Sequence, residues 1–465
     1  MRVELINGQN IENGIRNVAA AGRLSRASGT VFDILYKCDV YEKNNNVIKS
    51  IIDMGHKSII EHDYFVFAIS DVTPIIEHIL IGFRLASFTV KSRREVDFSD
   101  VGFYVPDLSY LDNGKELGNT YVEHMNYLFD EYSNLLDMGI IKEDARFILP
   151  YCYHSNMIMG CDARELERII DYCLNSKMSK IAEVKQFGEH MLNIATNNAP
   201  YLQREFCKFK DHSEDSFSNL DKLIGKFGSY KYDIIDKPKL IGYTPNSDDI
   251  ILTSVFMERY QQPFNRANLM LNEARKVEPN VDNEIMSILY SNSEYQRALE
   301  QVNFTFEMSY SLASLTHMLR HRMHSLVVPD FVPMWDLDKY IVPDTIKNTC
   351  EEKYHEIYKI NQDMYKYFKE QGVKEEDLVY FYLSGNMCNV HTTMNARTLM
   401  WISRMRCCNK AQWEVRKNIQ ACVDEVKKVS PLLGNYLGAT CEVEHKCYEG
   451  RECCGRVKQY IGGNK

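Results

Sequence analysis

Two short stretches of this chain hold residue types that bind anions, and each holds what the other lacks. GFRLASFTVKSRR (Gly82 to Arg94) ends in a Ser-x4-Ser-x-Arg pattern made by Ser87, Ser92 and Arg94. Arginine offers a planar fork of donors and the two hydroxyls fill the remaining acceptor positions, which is chemistry suited to a phosphate group. RHRMHSLVVPDFV (Arg320 to Val332) opens instead on a compact cationic cluster, Arg320, His321 and Arg322. At an offset of 238, Arg84 meets Arg322 and Ser87 meets Ser325. The second stretch replaces the Ser and Arg of the tail with Asp330 and Val332, and the first replaces the cationic head with Gly82 and Phe83. Residues lost in one copy and kept in the other suggest a single composite site shared between two halves. Each stretch has a plainer reading as well. Arg93 and Arg94 suit a solvated polar loop, and Arg320 to Arg322 suit a helix C-terminus, where positive charge complements the macrodipole.

The repetition reaches well beyond these motifs. Leu5-Ile6 recurs as Leu240-Ile241, FVFAIS (Phe65 to Ser70) as FTFEMS (Phe304 to Ser309), His78 as His317, and Val105-Pro106-Asp107 as Val342-Pro343-Asp344. Asp162-Ala163-Arg164 recurs as Asn395-Ala396-Arg397. A near-constant offset with so long a period means domain duplication rather than a stacked array. The expected organisation is a first domain over 1–200, a linker over 201–236, a second domain over 237–436 and a cysteine-rich tail over 437–465. The polar stretch from Cys207 to Pro238 is the connector, with room for a short helix.

The length of 465 residues agrees with two domains. A net charge of −9 disfavours a general nucleic-acid binder, but a pocket's local field can still oppose it. The chain opens without the pattern of a secretory signal and holds no apolar run of membrane-spanning length, so a cytoplasmic protein without a membrane partner is expected. Its fourteen cysteines are then mostly reduced.

FVFAIS and FTFEMS alternate as half-buried strands. The runs around His78 and His317 have helical apolar spacing and lead into the arginine motifs. Ala163 to Asn197 and Ala396 to Val429 read as long amphipathic helices. Each half is therefore a mixed α/β (α+β) domain with substantial helix.

Taken together, the two halves resemble the flavin-dependent thymidylate synthase family, whose signature is Arg-His-Arg-x2-Ser-x4-Ser-x-Arg. The first copy adds Gly55-His56-Lys57-Ser58 with Glu61-His62, and ARFILP (Ala145 to Pro150). The second adds KLIGYTP (Lys239 to Pro245), NARTLM (Asn395 to Met400), Arg406 and AQWE (Ala411 to Glu414). The resemblance implies an antiparallel sheet with long helices in each domain. It implies reductive methylation of dUMP to dTMP, with carbon from methylenetetrahydrofolate and hydride from FAD reduced by NADPH, and no cysteine nucleophile. The family is a homotetramer with sites between subunits, so a tandem chain implies a homodimer.

By the same resemblance, Ser87, Ser92, Arg94, Arg146, Arg320 and Arg406 bind dUMP. His56, Ser58, Arg320, His321, Arg322, Asn395 and Arg397 bind FAD. Arg406 stabilises charge on the pyrimidine during catalysis. Asn395 also suits a helix N-cap, and the two roles are compatible. The counterparts of Arg146 and Arg406 in the other copies are Val379 and Cys173, which repeats the split. The chain departs from the family at Val90, normally acidic, at His317 or Met318, where a glutamine is usual, and at Lys410, normally histidine. Those departures leave open a non-catalytic flavin- and nucleotide-binding protein, or a flavin enzyme acting on a related pyrimidine nucleotide. Cys441, Cys447, Cys453 and Cys454 lack the paired Cys-x2-Cys spacing of a strong zinc site, so the tail is expected to be disordered or redox-sensitive and to hold no metal.

Overall fold

The computed structural model describes residues 1–7, 11–38, 41–207, 223, 233–291, 294–332 and 336–461. Most of the expected connector, with its short helix, lies outside the described residues. Each repeat builds a four-stranded antiparallel sheet. Strands β1 (Arg2–Leu5), β2 (Tyr64–Val72), β3 (Ser87–Val90) and β4 (Ser155–Asp162) are ordered β1-β2-β4-β3. Strands β5 (Lys239–Tyr243), β6 (Asn303–Ser311), β7 (Ser325–Val327) and β8 (Met387–Asn395) are ordered β5-β6-β8-β7. The expected strand alternation is present: Phe65, Phe67 and Ile69 of β2, and Phe304, Phe306 and Met308 of β6, are buried.

Among the helices that accompany each sheet are the following. The first repeat has α1 (Ile11–Leu24), α2 (Pro74–Ile81), α3 (Gly114–Asp137), α4 (Ala163–Asn175) and α5 (Ala182–Asn198). The second has α6 (Ser247–Tyr260), α7 (Leu312–Leu319), α8 (Glu351–Glu370), α9 (Ala396–Arg406) and α10 (Trp413–Val429). The mixed antiparallel-sheet and helix class and the tandem duplication are thus both observed. Among the described residues no helix is long and apolar enough to cross a membrane.

The two long amphipathic stretches are each two helices rather than one. Ser176 ends α4, and its hydroxyl accepts the Met178 N–H at 3.1 Å. In the second repeat Gln412 restarts the helix by accepting the Val415 N–H at 3.0 Å. Side chains that bond nearby backbone compete with the helix ladder, so apolar periodicity can continue across a break.

One offset shift also has a physical cause. Pairing of β2 with β4 slips between Ile69 and Val72, and Asp71 there takes a φ of 57°. This β-bulge adds one residue to the first repeat. The offset is 239 before it and 238 after it, so α2 and α7 begin in register at Pro74 and Leu312. The counterpart of His78 is consequently Thr316 rather than His317.

By compactness the chain divides into Met1–Tyr232 with Phe331–Asp338 and Val342–Gly385, and a second unit of Asp233–Asp330, Lys339–Ile341 and Asn386–Lys465. The first unit thus holds the α8 segment of the second repeat. Inside it, equivalent residues meet. His124 Nε2 of α3 lies 2.9 Å from Asn361 Oδ1 of α8, its counterpart. Tyr151 N–H donates to the Tyr382 carbonyl at 2.7 Å, and the counterpart of that bond, Ser384 N–H to the Leu149 carbonyl, is 2.9 Å. Reciprocal contact between equivalent positions is the signature of a two-fold, isologous interface. Here it is internal to one chain.

Candidate functional site

In the second unit, α7 carries the Arg-His-Arg cluster at its C-terminal end, with Arg320 as the C-cap. The other end of α7 is fixed by the AQWE glutamate. Glu414 accepts the Ser311 N–H at 2.7 Å and the hydroxyls of Ser311 and Ser314 at 2.6 Å each. A carboxylate at a helix N-terminus satisfies its open N–H groups and complements its dipole. Glu183 does the same for α2, through the Thr73 N–H at 2.9 Å and the Thr73 hydroxyl at 2.6 Å. The AQWE segment is therefore an anchor for the arginine-bearing helix.

Arg320, His321, Arg322, Asn395 and Arg397 line one cavity of about 560 Å³, so these five expected cofactor residues are brought together. Arg404, Glu300, Trp401 and Met323 share its wall. Asn395 is the N-cap of α9, its Oδ1 accepting the Thr398 N–H at 2.8 Å, which leaves its amide donors for a ligand. Arg397 pairs with Glu300 at 2.6 Å. Arg404 lies 3.6 Å over the Tyr290 ring and donates to the Tyr290 carbonyl.

Arg406 Nε donates to His321 Nε2 at 2.8 Å, and its Nη2 reaches the His317 carbonyl at 3.3 Å. Since His321 Nε2 accepts, the imidazole is neutral and carries its proton on Nδ1. Burial, then the charge of Arg406, pushes the His321 pKa down to about 3. An unfolded histidine titrates near 6.5. Between those values the unfolded chain binds the extra proton, so stability contributed here is full above pH 6.5 and is lost as pH falls towards 3. Denaturant midpoints at pH 7 and pH 5 should show that loss, and it should be smaller in His321→Asn. An equal loss in both proteins would refute the assignment.

The first unit holds the other half of the set. Ser87 opens β3 opposite Gly160, the same place that Ser325 takes opposite Thr393. Beyond β3, the Arg94 N–H donates to Ser92 Oγ at 3.3 Å, and Arg94 Nη2 pairs with Glu143 at 3.0 Å. Arg146 Nε donates to the Glu143 carbonyl at 3.1 Å, so Glu143 brings Arg94 and Arg146 together. Arg146 is 2% exposed and its buried Nη2 has no hydrogen-bond partner. Burial, then the neighbouring Arg93, lowers its pKa to about 10. A buried guanidinium with an open donor is a place for an acceptor on a ligand.

Arg93 is not a solvated neighbour of Arg94. It is 5% exposed and grips fully buried Glu77 with two bonds, of 2.7 and 2.9 Å, with Tyr153 and Ser155 completing the cluster. His56 and Ser58 are exposed in the first unit, flanking Lys57, which pairs with Glu167 and Glu205.

The equivalent positions in the first repeat have different chemistry. Helix α4 has Asp162, Glu165, Glu167 and Asp171 where α9 and its cap have Asn395, Thr398, Met400 and Arg404. Glu165 accepts the Leu85 N–H at 3.2 Å and pairs with Arg168 at 3.1 Å. This copy is built of internal ion pairs. The Arg–Glu pair is common to both, as Arg164 with Glu61 and Arg397 with Glu300, and so is the N-cap bond of the helix, from Asp162 and Asn395.

A family model described as thymidylate synthase complementing protein matches residues 5–201 and again 239–432. The flavin-dependent thymidylate synthase of Clostridium tetani is 31% identical over 245 residues, 48% of this chain and 94% of that protein. This chain belongs to that family. The Saccharolobus solfataricus flavin-dependent thymidylate synthase is 30% identical over 44% of this chain and 77% of its own length. Among solved structures, a UMP/dUMP methylase PolB from Streptomyces cacaoi bound with 5-Br dUMP is 24% identical with a TM-score of 0.38, covering 46% of this chain and 97% of that one.

Sequence reasoning missed Glu143, the Glu77–Arg93 pair, Trp401 and Met323. The four-residue spacing of Arg397 and Trp401 was the available signal for Trp401, since it puts both on one helix face. Lys410, in the position where this family normally has histidine, pairs with Glu452 of the tail at 2.6 Å. Within the described residues the tail is held by Arg456, which pairs with Glu442 and donates to the Cys407 carbonyl. Of the two expectations for the tail, disorder or redox sensitivity, these polar contacts speak against the first for the described residues.

Proposed function

We propose that this protein is a flavin-dependent thymidylate synthase that converts dUMP to dTMP, with one competent site per chain drawing on residues of both repeats. The observation that carries the reading is the contrast between the second unit's cavity and the equivalent positions of the first repeat. The second repeat lines the cavity with four arginines against one glutamate. The first has acidic residues at the positions of Asn395, Thr398, Met400 and Arg404 and lacks the first two residues of Arg-His-Arg. A polyanionic dinucleotide fits the first chemistry, whereas in the second the carboxylates already occupy the local cations, Glu165 on Arg168 and Glu167 on Lys57.

In this reading Arg320, Arg322, Arg397 and Asn395 hold the anionic part of FAD, with His56 and Ser58 joining from the first repeat. His321, neutral, donates from Nδ1. Ser87, Ser92 and Arg94 hold the dUMP phosphate. Arg146, Arg320 and Arg406 face the nucleotide, and Arg406 sets a fixed cation where negative charge develops on the pyrimidine. FAD reduced by NADPH supplies the hydride that, with the methylene carbon of methylenetetrahydrofolate, completes the methyl group. The family resemblance calls for no thiol nucleophile, and burial pushes the Cys152, Cys173 and Cys407 thiols up to about 12, away from the thiolate form. All fourteen cysteines are free, which fits a cytoplasmic protein. Two such chains supply the four domains of a family tetramer, so we read the protein as a homodimer.

FAD titration should saturate at one per chain. With FAD, NADPH, methylenetetrahydrofolate and dUMP, without oxygen, the protein should form dTMP, measured by chromatography. Two equivalent FAD sites per chain would sink the composite site. FAD and dUMP binding without dTMP would refute the synthase reading in favour of a non-catalytic binder or another pyrimidine substrate.

A further inference from the structure

We propose that Trp401 is the stacking platform for an aromatic ring of the ligand that fills the second unit's cavity. The inference rests on the flavin reading of that cavity and names what would hold the ring. Trp401 lies one helical turn beyond Arg397 on α9, so both present to the same side. Its side chain is 59% exposed, although indole is among the side chains that gain most from burial. Met323, just past Arg-His-Arg, is 75% exposed on the same wall. Two large apolar side chains in water, beside four arginines, call for a partner that is both flat and anionic. Guanidiniums and the Asn395 amide suit phosphates, while indole and thioether suit a fused ring.

The first repeat supplies an internal control. The counterpart of Trp401 is Arg168, which pairs with Glu165 at 3.1 Å; the counterpart of Met323, Leu85, is also exposed, so the contrast between the copies lies in the indole. The aromatic surface is therefore missing from the copy that also lacks Arg-His of the cationic cluster. A general structural need for Trp401 would have kept it in both.

The test compares ligands with and without rings on the full-length protein. Trp401→Ala should weaken FAD binding about tenfold, the scale of losing one ring stacked on an aromatic side chain. Trp401→Phe, which keeps a ring, should stay within about threefold of wild type. Inorganic pyrophosphate, having no ring, should bind both variants as it binds wild type. FMN and ADP distinguish the two rings of FAD: a selective loss with either one supports the proposal and says which ring is stacked. Unchanged FAD affinity in Trp401→Ala, or an equal loss for pyrophosphate, would overturn it while leaving the flavin reading intact. A wild-type protein that binds pyrophosphate but no flavin would instead bring down both.

Discussion

Glu77→Ala will destabilise the protein by about 3–5 kcal/mol, the cost of breaking a buried ion pair and stranding its partner. Glu77 is fully buried on α2 and meets both terminal nitrogens of Arg93. Burial opposes the Arg93 charge, yet Glu77 beside it holds the guanidinium's pKa above its ordinary value. Removing Glu77 leaves that charge in a low-dielectric site and frees the Ser155 hydroxyl that it accepts from at 2.7 Å. The second repeat does without the pair, having buried Leu315 and Phe331 at the two positions. Glu77→Leu combined with Arg93→Met should accordingly recover much of the loss. Urea denaturation measures both. A single variant as stable as wild type would mean that water or another carboxylate reaches Arg93. Because Arg93 anchors the segment between Ser92 and Arg94, the single variant should also bind dUMP less tightly while still folded.

Arg94→Ala will weaken dUMP binding by at least about tenfold, since a charge-assisted hydrogen bond contributes about 1.5–3 kcal/mol. Arg94 is part-exposed, and Glu143 pre-positions its fork beside Ser92 and Arg146. The variant also leaves Glu143 without that cation, so folding should be checked by its melting temperature. Val332, the counterpart in the second repeat, has no donor to lose. Val332→Ala should leave dUMP affinity near wild type, and calorimetry on the two variants decides between the halves. If folded Val332→Ala loses binding, the assignment of the phosphate end to the first repeat is wrong.

Much of this was legible in the linear chain because periodicity and offset are local properties. The strands at Phe65 and Phe304, the helices leading to Gly82 and Arg320, and the pairing of Ser87 with Ser325 follow from alternation and spacing alone. The complementary loss of Arg320 and Arg94 was visible without any structure, and so was the likeness to flavin-dependent thymidylate synthases. The sequence by itself determined the duplication, the element types and which copy keeps which charge. Only the tertiary structure decided what each charge touches. Arg93 and Arg94 are adjacent and chemically identical, but one is buried on Glu77 and the other turns to Glu143. Arg406 and His321 are 85 residues apart, and their hydrogen bond sets the histidine's tautomer. The one-residue bulge at Asp71 moved the counterpart of His78, because a register shift leaves composition untouched. Such outcomes depend on burial and on partners brought from distant segments, and those distances exist only once the chain has folded.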